Sequence, residues 1–153
     1  MTALGEELAG ARDGGSAAFR VSIEGTPREL HPILRDDIYR IAREALRNAF
    51  QHAQASKIEA EITYRERLLR LRIRDDGKGI DPKLLDAGRD GHWGLQGMRE
   101  RAQQIGAQFE MWSQAGAGTE VELRIPGSIA YGTTPGRSSF RLFRKKEQAA
   151  DER

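Results

Sequence analysis

Residues 43–53, REALRNAFQHA, carry Glu44, Asn48 and His52 at intervals of four residues. Asparagine is a poor helix former, yet apolar residues recur through residues 32–53 at the spacing of a helix. These apolar positions are Leu34, Ile38, Ile41, Ala42, Ala45, Leu46 and Ala49. We therefore predict a helix over residues 32–53, with one apolar face that packs on the rest of the protein.

The rotation of about 100° per residue puts the three polar side chains on the edge of the apolar face. Arg40, Arg43, Arg47 and Gln51 fall on the solvent side. Side chains on such an edge can face a cleft, but they can equally form a polar margin that contacts only water. The helix alone does not separate these two interpretations.

The rest of the chain predicts a sheet that this helix covers. Alternating apolar residues indicate strands, and GLQGMRERAQQIG, residues 94–106, indicates a second helix. The predicted strands are residues 19–23, 57–64, 68–75, 108–114 and 119–126. The order β-α-β-β-α-β-β predicts an α/β fold, a two-layer sandwich in which helices cover one face of a mixed, mostly antiparallel sheet.

Composition limits the classes of function. Lys and Arg number 25 against 23 for Asp and Glu, a net charge of +2, and the charges are mixed along the chain, so no nucleic-acid partner is expected. There is no cysteine, which excludes disulfides and thiolate metal sites. No apolar run approaches the roughly 20 residues that span a bilayer, and the N-terminus lacks the apolar core of a signal peptide. We expect a cytoplasmic domain, alone or as the cytoplasmic part of a membrane-bound sensor.

The chain divides into three segments by composition. Residues 1–18 are rich in Gly, Ala and charge, and are predicted to be a linker or the end of an upstream helix. Residues 19–126 form the predicted domain. Residues 127–153 are rich in Gly, Ser and Thr and then basic, so a flexible tail is predicted.

Three glycine-containing motifs follow the first helix. DDGKGI begins with Asp75 at the end of a predicted strand, and its glycines suit a loop that approaches a flat ligand. GLQGM, residues 94–98, opens a helix whose N–H groups could meet phosphate, with Arg99 and Arg101 nearby. GAGT, residues 116–119, joins the last two strands. Each motif taken alone is equally a simple turn, and the chain has neither a Walker P-loop nor a GxGxxG sequence.

Taken in order, the motifs E-x3-N-x3-HA, DxGxG, GLxGM and GxGT resemble the ATP-binding domain of gyrase, heat-shock chaperones, mismatch-repair ATPases and histidine kinases. This is the GHKL superfamily with the Bergerat ATP-binding fold. REALRNAFQHAQA, DDGKGI, HWGLQGMRERAQQIGA and GAGTEVELRIP are similar to the catalytic domain of nitrate-sensor-like bacterial histidine kinases, the HisKA_3-associated class. The resemblance covers residues 19–126.

The resemblance implies roles for the three polar residues of the first helix. Asn48 would hold the Mg²⁺ that bridges the phosphates of ATP. Glu44 would orient or polarise a water bound to that metal, so both residues count as metal-binding and catalytic. His52 would lie near the phosphates.

The resemblance also implies contacts to the nucleotide outside this helix. Asp75 would accept a hydrogen bond from the adenine amine, Gly77 and Gly79 would give the base room, and Thr119 would support it through water. The lid over the nucleotide would be residues 80–93, beginning at Ile80. Four residues would form the end of this lid over the phosphates: Gly94, Leu95, Gly97 and Met98.

The resemblance finally implies partners. Its class carries an accepting histidine followed by aspartate on a dimerising helix pair, and neither His31 nor His92 lies in such a context. We therefore expect the catalytic domain of a longer kinase, or a standalone relative, with ATP and Mg²⁺ as cofactors. The expected partners are the dimerisation and phosphoacceptor domain of a homodimeric parent and a response regulator, while the isolated domain is expected to be a monomer. Two alternatives stay open: an anti-sigma serine kinase of the same fold, and a non-catalytic module that binds ATP or a partner.

Overall fold

The computed structural model describes residue 10 and residues 17–80 and 94–131. In chain order its elements are β1 (Ala18–Glu24), α1 (Pro32–Gln51), β2 (Lys57–Arg65), β3 (Leu68–Asp75), α2 (Leu95–Gln104), β4 (Gln108–Gln114), β5 (Gly118–Pro126) and α3 (Gly127–Ala130). The predicted order is confirmed, and the short α3 is added to it. No helix in the described ranges is long and apolar enough to cross a membrane.

The strands form one five-stranded sheet in the order β1-β2-β3-β5-β4. β1 runs parallel to β2, and the other neighbours are antiparallel. Parallel neighbours need a crossover connection, and α1 lies between β1 and β2 in the chain. The predicted mixed, mostly antiparallel sheet and the α/β class are both confirmed.

The apolar face of α1 lies in the core of the domain. All seven apolar residues that define the predicted face are buried. They join a cluster that includes Ile58 and Ile62 of β2, Leu71 of β3 and Leu123 of β5. This burial fixes the rotation of the helix about its axis, and so fixes where its polar residues point.

Helix α1 begins where the sequence predicts and ends slightly earlier than predicted. The His31 side chain accepts the Ile33 N–H at 3.3 Å, and Pro32 occupies the first turn, a position where proline is favoured. At the other end, His52 N and Ala53 N both donate to Asn48 O, at 3.0 and 3.2 Å. Gln54 then adopts a φ of 53°, which ends the helix.

The C-terminal boundary of the fold lies beyond the residue predicted from sequence. We predicted that residue 127 begins a flexible tail, but Gly127 N donates to Arg67 O at 2.8 Å and Tyr131 OH donates to Leu68 O at 3.2 Å. The Arg28 guanidinium lies 4.1 Å from the centroid of the Tyr131 ring. The tail prediction is therefore wrong for residues 127–131, which pack on the sheet; residues 132–153 lie outside the described residues.

The N-terminal boundary also differs by a small margin. Ala17 is buried, and Ala18 N donates to Ser56 O at 2.9 Å as β1 begins. The folded domain therefore includes the last two residues of the predicted 1–18 linker. The rest of that segment, apart from residue 10, lies outside the described residues.

The packing of Tyr131 leads to a stability prediction. Tyr131→Ala should lower the free energy of unfolding by about 2–4 kcal/mol, because it removes a buried ring. Tyr131→Phe should cost only about 1 kcal/mol, the value of one hydrogen bond. Denaturant unfolding measures both, with the exposed Ser128→Ala as a control that should leave stability unchanged. If Tyr131→Ala were as stable as the wild type, residues 127–131 would belong to the predicted tail and not to the folded domain.

Candidate functional site

A cleft opens between α1 and the ends of three strands. Six of the predicted site residues line it, and its remaining wall is apolar. The predicted residues are Asn48, His52, Asp75, Gly79, Ile80 and Thr119, and the apolar ones are Ala45, Ala53, Ile73, Met111 and Val121. An apolar slot with a few convergent polar groups is the usual form of a site for a small organic ligand.

Asp75 is the half-buried acid of this cleft. It ends β3 opposite Thr119 of β5, and its Oδ1 accepts the Gly77 N–H at 2.9 Å. Burial raises the pKa of Asp75 above its usual value, although backbone hydrogen bonds from Gly77 and Thr119 lower it in part. These two N–H groups hold the carboxyl in a fixed orientation. The result is a preorganised acceptor in the wall of the cleft.

Ser113 on β4 contacts two of the residues that line the cleft, Thr119 and Ile80, and was not predicted from the sequence. Its Oγ lies 2.8 Å from Thr119 Oγ1 and accepts the Ile80 N–H at 2.7 Å. The Ser113 hydroxyl thus connects the last strand to the residue at which the predicted lid begins. The sequence signal for this residue was weak. Ser113 follows Phe109 and Met111 in the series of alternate, partly buried side chains of β4.

Asp76 is a second residue that the sequence did not assign. Its Oδ1 accepts the Ser56 and Lys57 N–H groups at 2.8 and 2.9 Å, and its Oδ2 accepts the Ser56 hydroxyl at 2.6 Å. The hydrogen bond from the Ser56 side chain, followed by the one from the Lys57 backbone, lowers the pKa of Asp76. Asp76 therefore ties the end of β3 to the start of β2, next to the carboxyl that faces the cleft.

The two loop glycines are required by neighbouring backbone. A Cβ on Gly77 would meet the Ala53 carbonyl oxygen, and Gly77 does not line the cleft. Gly79 has a φ of 75°, and a Cβ there would meet the Gln114 carbonyl oxygen. Both glycines are therefore required by close packing of the loop on the end of α1 and on the β4–β5 hairpin, while the room they would give a base stays a prediction.

A separate groove lies beside the cleft. Its lining includes Glu44 of α1, Gly94 at the N-cap of α2, and Gly97 and Met98 in the first turns of α2. Gly94 has a φ of 62°, and a Cβ there would lie 2.6 Å from Glu44 Cγ. Leu95 and Met98 are buried in the core. Met98 N donates to Gly94 O at 3.0 Å, so of these two residues only Leu95 can offer its backbone N–H to a ligand. The predicted lid residues 81–93 lie outside the described residues.

Among the described residues, no side chain makes a capping hydrogen bond to the first turn of α2. Its N-cap is Gly94, no side chain caps it, and the first turn holds no acidic residue. Unpaired N–H groups and the positive end of the helix dipole favour an anion at such a terminus. Arg99 is exposed and Arg101 half-buried on the same helix, with the exposed Glu100 between them.

Comparisons with known proteins match these features to one family. Residues 33–129 match the family model described as histidine kinase-, DNA gyrase B- and HSP90-like ATPase. The sensor protein VraS of Staphylococcus saprophyticus is 40% identical over 95 residues, which are 61% of this chain and 26% of that protein. The sensor histidine kinase LiaS of Bacillus subtilis is 38% identical over 93 residues, 61% of this chain and 25% of that protein. The chain thus spans about a quarter of the length of these relatives.

Solved structures agree on the fold. The histidine kinase domain of a blue-light activated histidine kinase from Erythrobacter litoralis superposes with a TM-score of 0.60 and 25% identity, over 82% of this chain and 58% of that one. A longer chain of the same kinase gives a TM-score of 0.61 at 24% identity, over 82% of this chain and 41% of that one. The two-layer architecture of this chain is therefore that of histidine kinase ATPase domains.

The contacts of Asp76 give a prediction about pH. Its folded pKa is lowered, so its contribution to stability is complete above the unfolded value of about 3.9 and is lost as the pH falls through the folded pKa. Asp76→Asn should therefore be less stable than wild type at neutral pH, and the difference should shrink below about pH 4. Thermal unfolding between neutral and acidic pH measures this, with the exposed Asp36→Asn as the control. A constant difference at all pH values would contradict the role of the Asp76 charge.

Proposed function

The chain belongs to the histidine kinase-, DNA gyrase B- and HSP90-like ATPase family, and we propose that this ATP-binding catalytic domain of a sensor histidine kinase transfers the γ-phosphoryl group of ATP to a histidine of its parent protein. The observation that carries the proposal is the cleft in which Asp75 and Thr119 lie opposite Asn48 and His52. Phosphoryl transfer needs mainly positioning and electrostatic stabilisation. The residues of the cleft can supply both.

The part of the cleft around Asp75 suits adenine. The exocyclic amine of adenine is a hydrogen-bond donor, and Asp75 is a fixed, half-buried acceptor. Ile80, Met111 and Val121 provide apolar surface for the faces of the base. Thr119, whose hydroxyl lies 2.8 Å from that of Ser113, supports the base through water. This arrangement favours a purine with an amino group over one with a carbonyl at the same position.

The α1 side of the cleft, together with Glu44 in the adjoining groove, suits phosphates and Mg²⁺. Asn48 and Glu44 are oxygen donors one turn apart on α1, the ligand type that Mg²⁺ prefers. Among the described residues there is no group of three or more His, Asp or Glu side chains that could hold a metal. The phosphates must therefore complete the coordination, as is common for Mg²⁺. Mg²⁺ would supply charge neutralisation at the phosphates; Asn48 would hold it, Glu44 would orient a water beside it, and His52 would lie near the phosphates.

The class of the parent kinase and its partners follow from the motifs that surround this site. We assign the domain to the nitrate-sensor-like class, whose motifs it resembles in order and spacing. The accepting histidine would lie on the dimerisation helices of a homodimeric parent, and the phosphoryl group would pass to a response regulator. ATP is available in the cytoplasm, so the domain would work there, also if the parent sensor is anchored in a membrane.

The adenine role of Asp75 is tested by substitution. Asp75→Asn presents an amide where the adenine amine needs an acceptor, and should weaken ATP binding by about 1.5–3 kcal/mol, the range for a hydrogen bond to a charged group. Calorimetric titration of Mg-ATP against wild type and variant measures the change, with Asp36→Asn as a control of equal charge. If a folded Asp75→Asn variant bound Mg-ATP as tightly as the wild type, Asp75 would not be the residue that binds adenine.

The transfer reaction is tested with Asn48→Asp. The domain is mixed with Mg-ATP and either a separately made dimerisation and phosphoacceptor domain or a serine-bearing anti-sigma antagonist. We expect acid-labile phosphohistidine with wild type, and strongly reduced transfer with Asn48→Asp at a similar melting temperature, because Asn48 lies on the rim of α1 and not in its core. Transfer to serine would favour the anti-sigma kinase, and ATP binding without transfer would favour a non-catalytic module.

A further inference from the structure

A row of polar side chains crosses three strands of the sheet at one end of the cleft. Asp75 of β3 lies opposite Thr119 of β5, and Thr119 lies opposite Ser113 of β4. The next row along the same strands is apolar and lines the cleft: Ile73, Val121 and Met111. Asp75 and Thr119 also line the cleft, but Ser113 does not. Ser113 can therefore act on a ligand in the cleft only through its neighbours.

The Ser113 hydroxyl has three neighbours within hydrogen-bond distance and one proton to donate. Its Oγ accepts the Ile80 N–H at 2.7 Å. Thr119 Oγ1 lies 2.8 Å from Ser113 Oγ, and Gly118 O lies 3.3 Å from it. A hydroxyl has one proton and two lone pairs, and O–H···O bonds are typically about 2.5–3.0 Å long. The shorter contact is therefore the better one for the Ser113 proton, so Ser113 donates to Thr119.

This direction of donation decides what Thr119 can offer a ligand. Because Thr119 Oγ1 accepts the Ser113 proton, the proton of the Thr119 hydroxyl stays available for a group in the cleft. The backbone N–H of Thr119 is already used, since it donates to the Asp75 carboxyl. The cleft then presents an acceptor, the Asp75 carboxyl, beside a donor, the Thr119 hydroxyl.

An acceptor beside a donor is complementary to an edge of adenine. The exocyclic amine of adenine donates, and the ring nitrogens that flank it accept. A water between Thr119 and a ring nitrogen keeps this polarity, because it accepts from the hydroxyl and donates to the base. We propose that Ser113 is a positioning residue for base recognition, which holds the Thr119 hydroxyl as a donor toward a ring nitrogen of adenine. The assignment rests on the proposed function, which places the base at Asp75.

The bond from Ile80 holds the Ser113 hydroxyl in place for this role. Ile80 is buried, and its side chain is part of the apolar lining of the cleft. Its N–H occupies one lone pair of Ser113 Oγ, so the serine oxygen is fixed between Ile80 and Thr119. A hydroxyl that is oriented before the ligand arrives loses little freedom on binding, which favours affinity and selectivity.

The test measures how well each variant distinguishes ATP from analogues that lack one ring nitrogen. In 1-deaza-ATP and 7-deaza-ATP, a C–H group replaces one of the two nitrogens that flank the amine. Each ligand is titrated with Mg²⁺ into the domain. We expect the wild type to bind one of the two analogues about fivefold more weakly than ATP, the effect of about one hydrogen bond. In Ser113→Ala, and in Ser113→Cys with its weakly donating thiol, this ratio should fall to about one through weaker binding of ATP.

Two further variants separate this role from general support of the fold. Ser113 acts through Thr119, so Thr119→Val should also give a ratio of about one, and Ser113→Ala/Thr119→Val should lower it no further. Ser56→Ala is the matched control. The Ser56 hydroxyl also holds the loop after β3, through its 2.6 Å bond to Asp76 Oδ2, but it lies on the Asp76 side of that loop. Its loss should lower the melting temperature and leave the ratio at the wild-type value.

The outcomes separate this inference from the proposed function. If Ser113→Ala loses affinity equally for ATP and both analogues, Ser113 only supports the β4–β5 hairpin and the positioning role is wrong. The role is also wrong if Ser113→Ala binds ATP as the wild type does, if Thr119→Val keeps the wild-type ratio, or if Ser56→Ala changes that ratio as much as Ser113→Ala. A wild-type domain that binds ATP and both analogues equally would overturn the inference as well. A wild-type domain that binds no ATP would instead overturn the proposed function itself.

Discussion

The burial of one face of α1 against the sheet is the constraint on which the functional geometry depends. Seven apolar side chains of this helix are buried, and their loss of contact with water fixes the helix in one rotation. Asn48 and His52 then face the cleft, while Glu44 and Arg47 face the groove. The spacing of four residues therefore has a physical reason. It places polar groups along the edge of an apolar face whose orientation is fixed by burial.

The loop after β3 holds the residues of the candidate site in a fixed position relative to α1 and the sheet. Asp76 binds Ser56 and Lys57 at the start of β2, Lys78 N donates to Ala53 O at 2.8 Å, and Gly116 N donates to Lys78 O at 2.7 Å. The loop is thus held by the end of α1, by β2 and by the β4–β5 hairpin together. Asp75 lies at its base, and a carboxyl held in this way loses little freedom when a ligand arrives. Preorganisation of this kind favours affinity and selectivity.

The sequence predicted the parts of the fold that local periodicity reports, and missed those that depend on distant contacts. The spans of α1 and the strands follow from apolar spacing, because apolar residues recur at the positions that the fold buries. Helix α3 has four residues and no period, and its anchors at Arg67 and Leu68 lie far back in the chain. Asp76 and Ser113 were missed for the same reason: their partners are 20 and 33 residues away.

The candidate site was predicted through family resemblance more than through residue physics, and the structure shows why. Each glycine motif alone is compatible with a turn, and only the fold brings Asn48, Asp75 and Thr119 into one cleft. The arginines were correctly placed on the exposed side of α1, but sequence periodicity describes one helix at a time. Whether an exposed arginine faces water, a carboxylate or an empty groove depends on its neighbours in space. On the sheet, Arg70 and Arg74 each lie within 4.0 Å of a glutamate, whereas Arg43 and Arg47 line the groove beside the cleft, and the apolar spacing of the sequence does not distinguish these two arrangements.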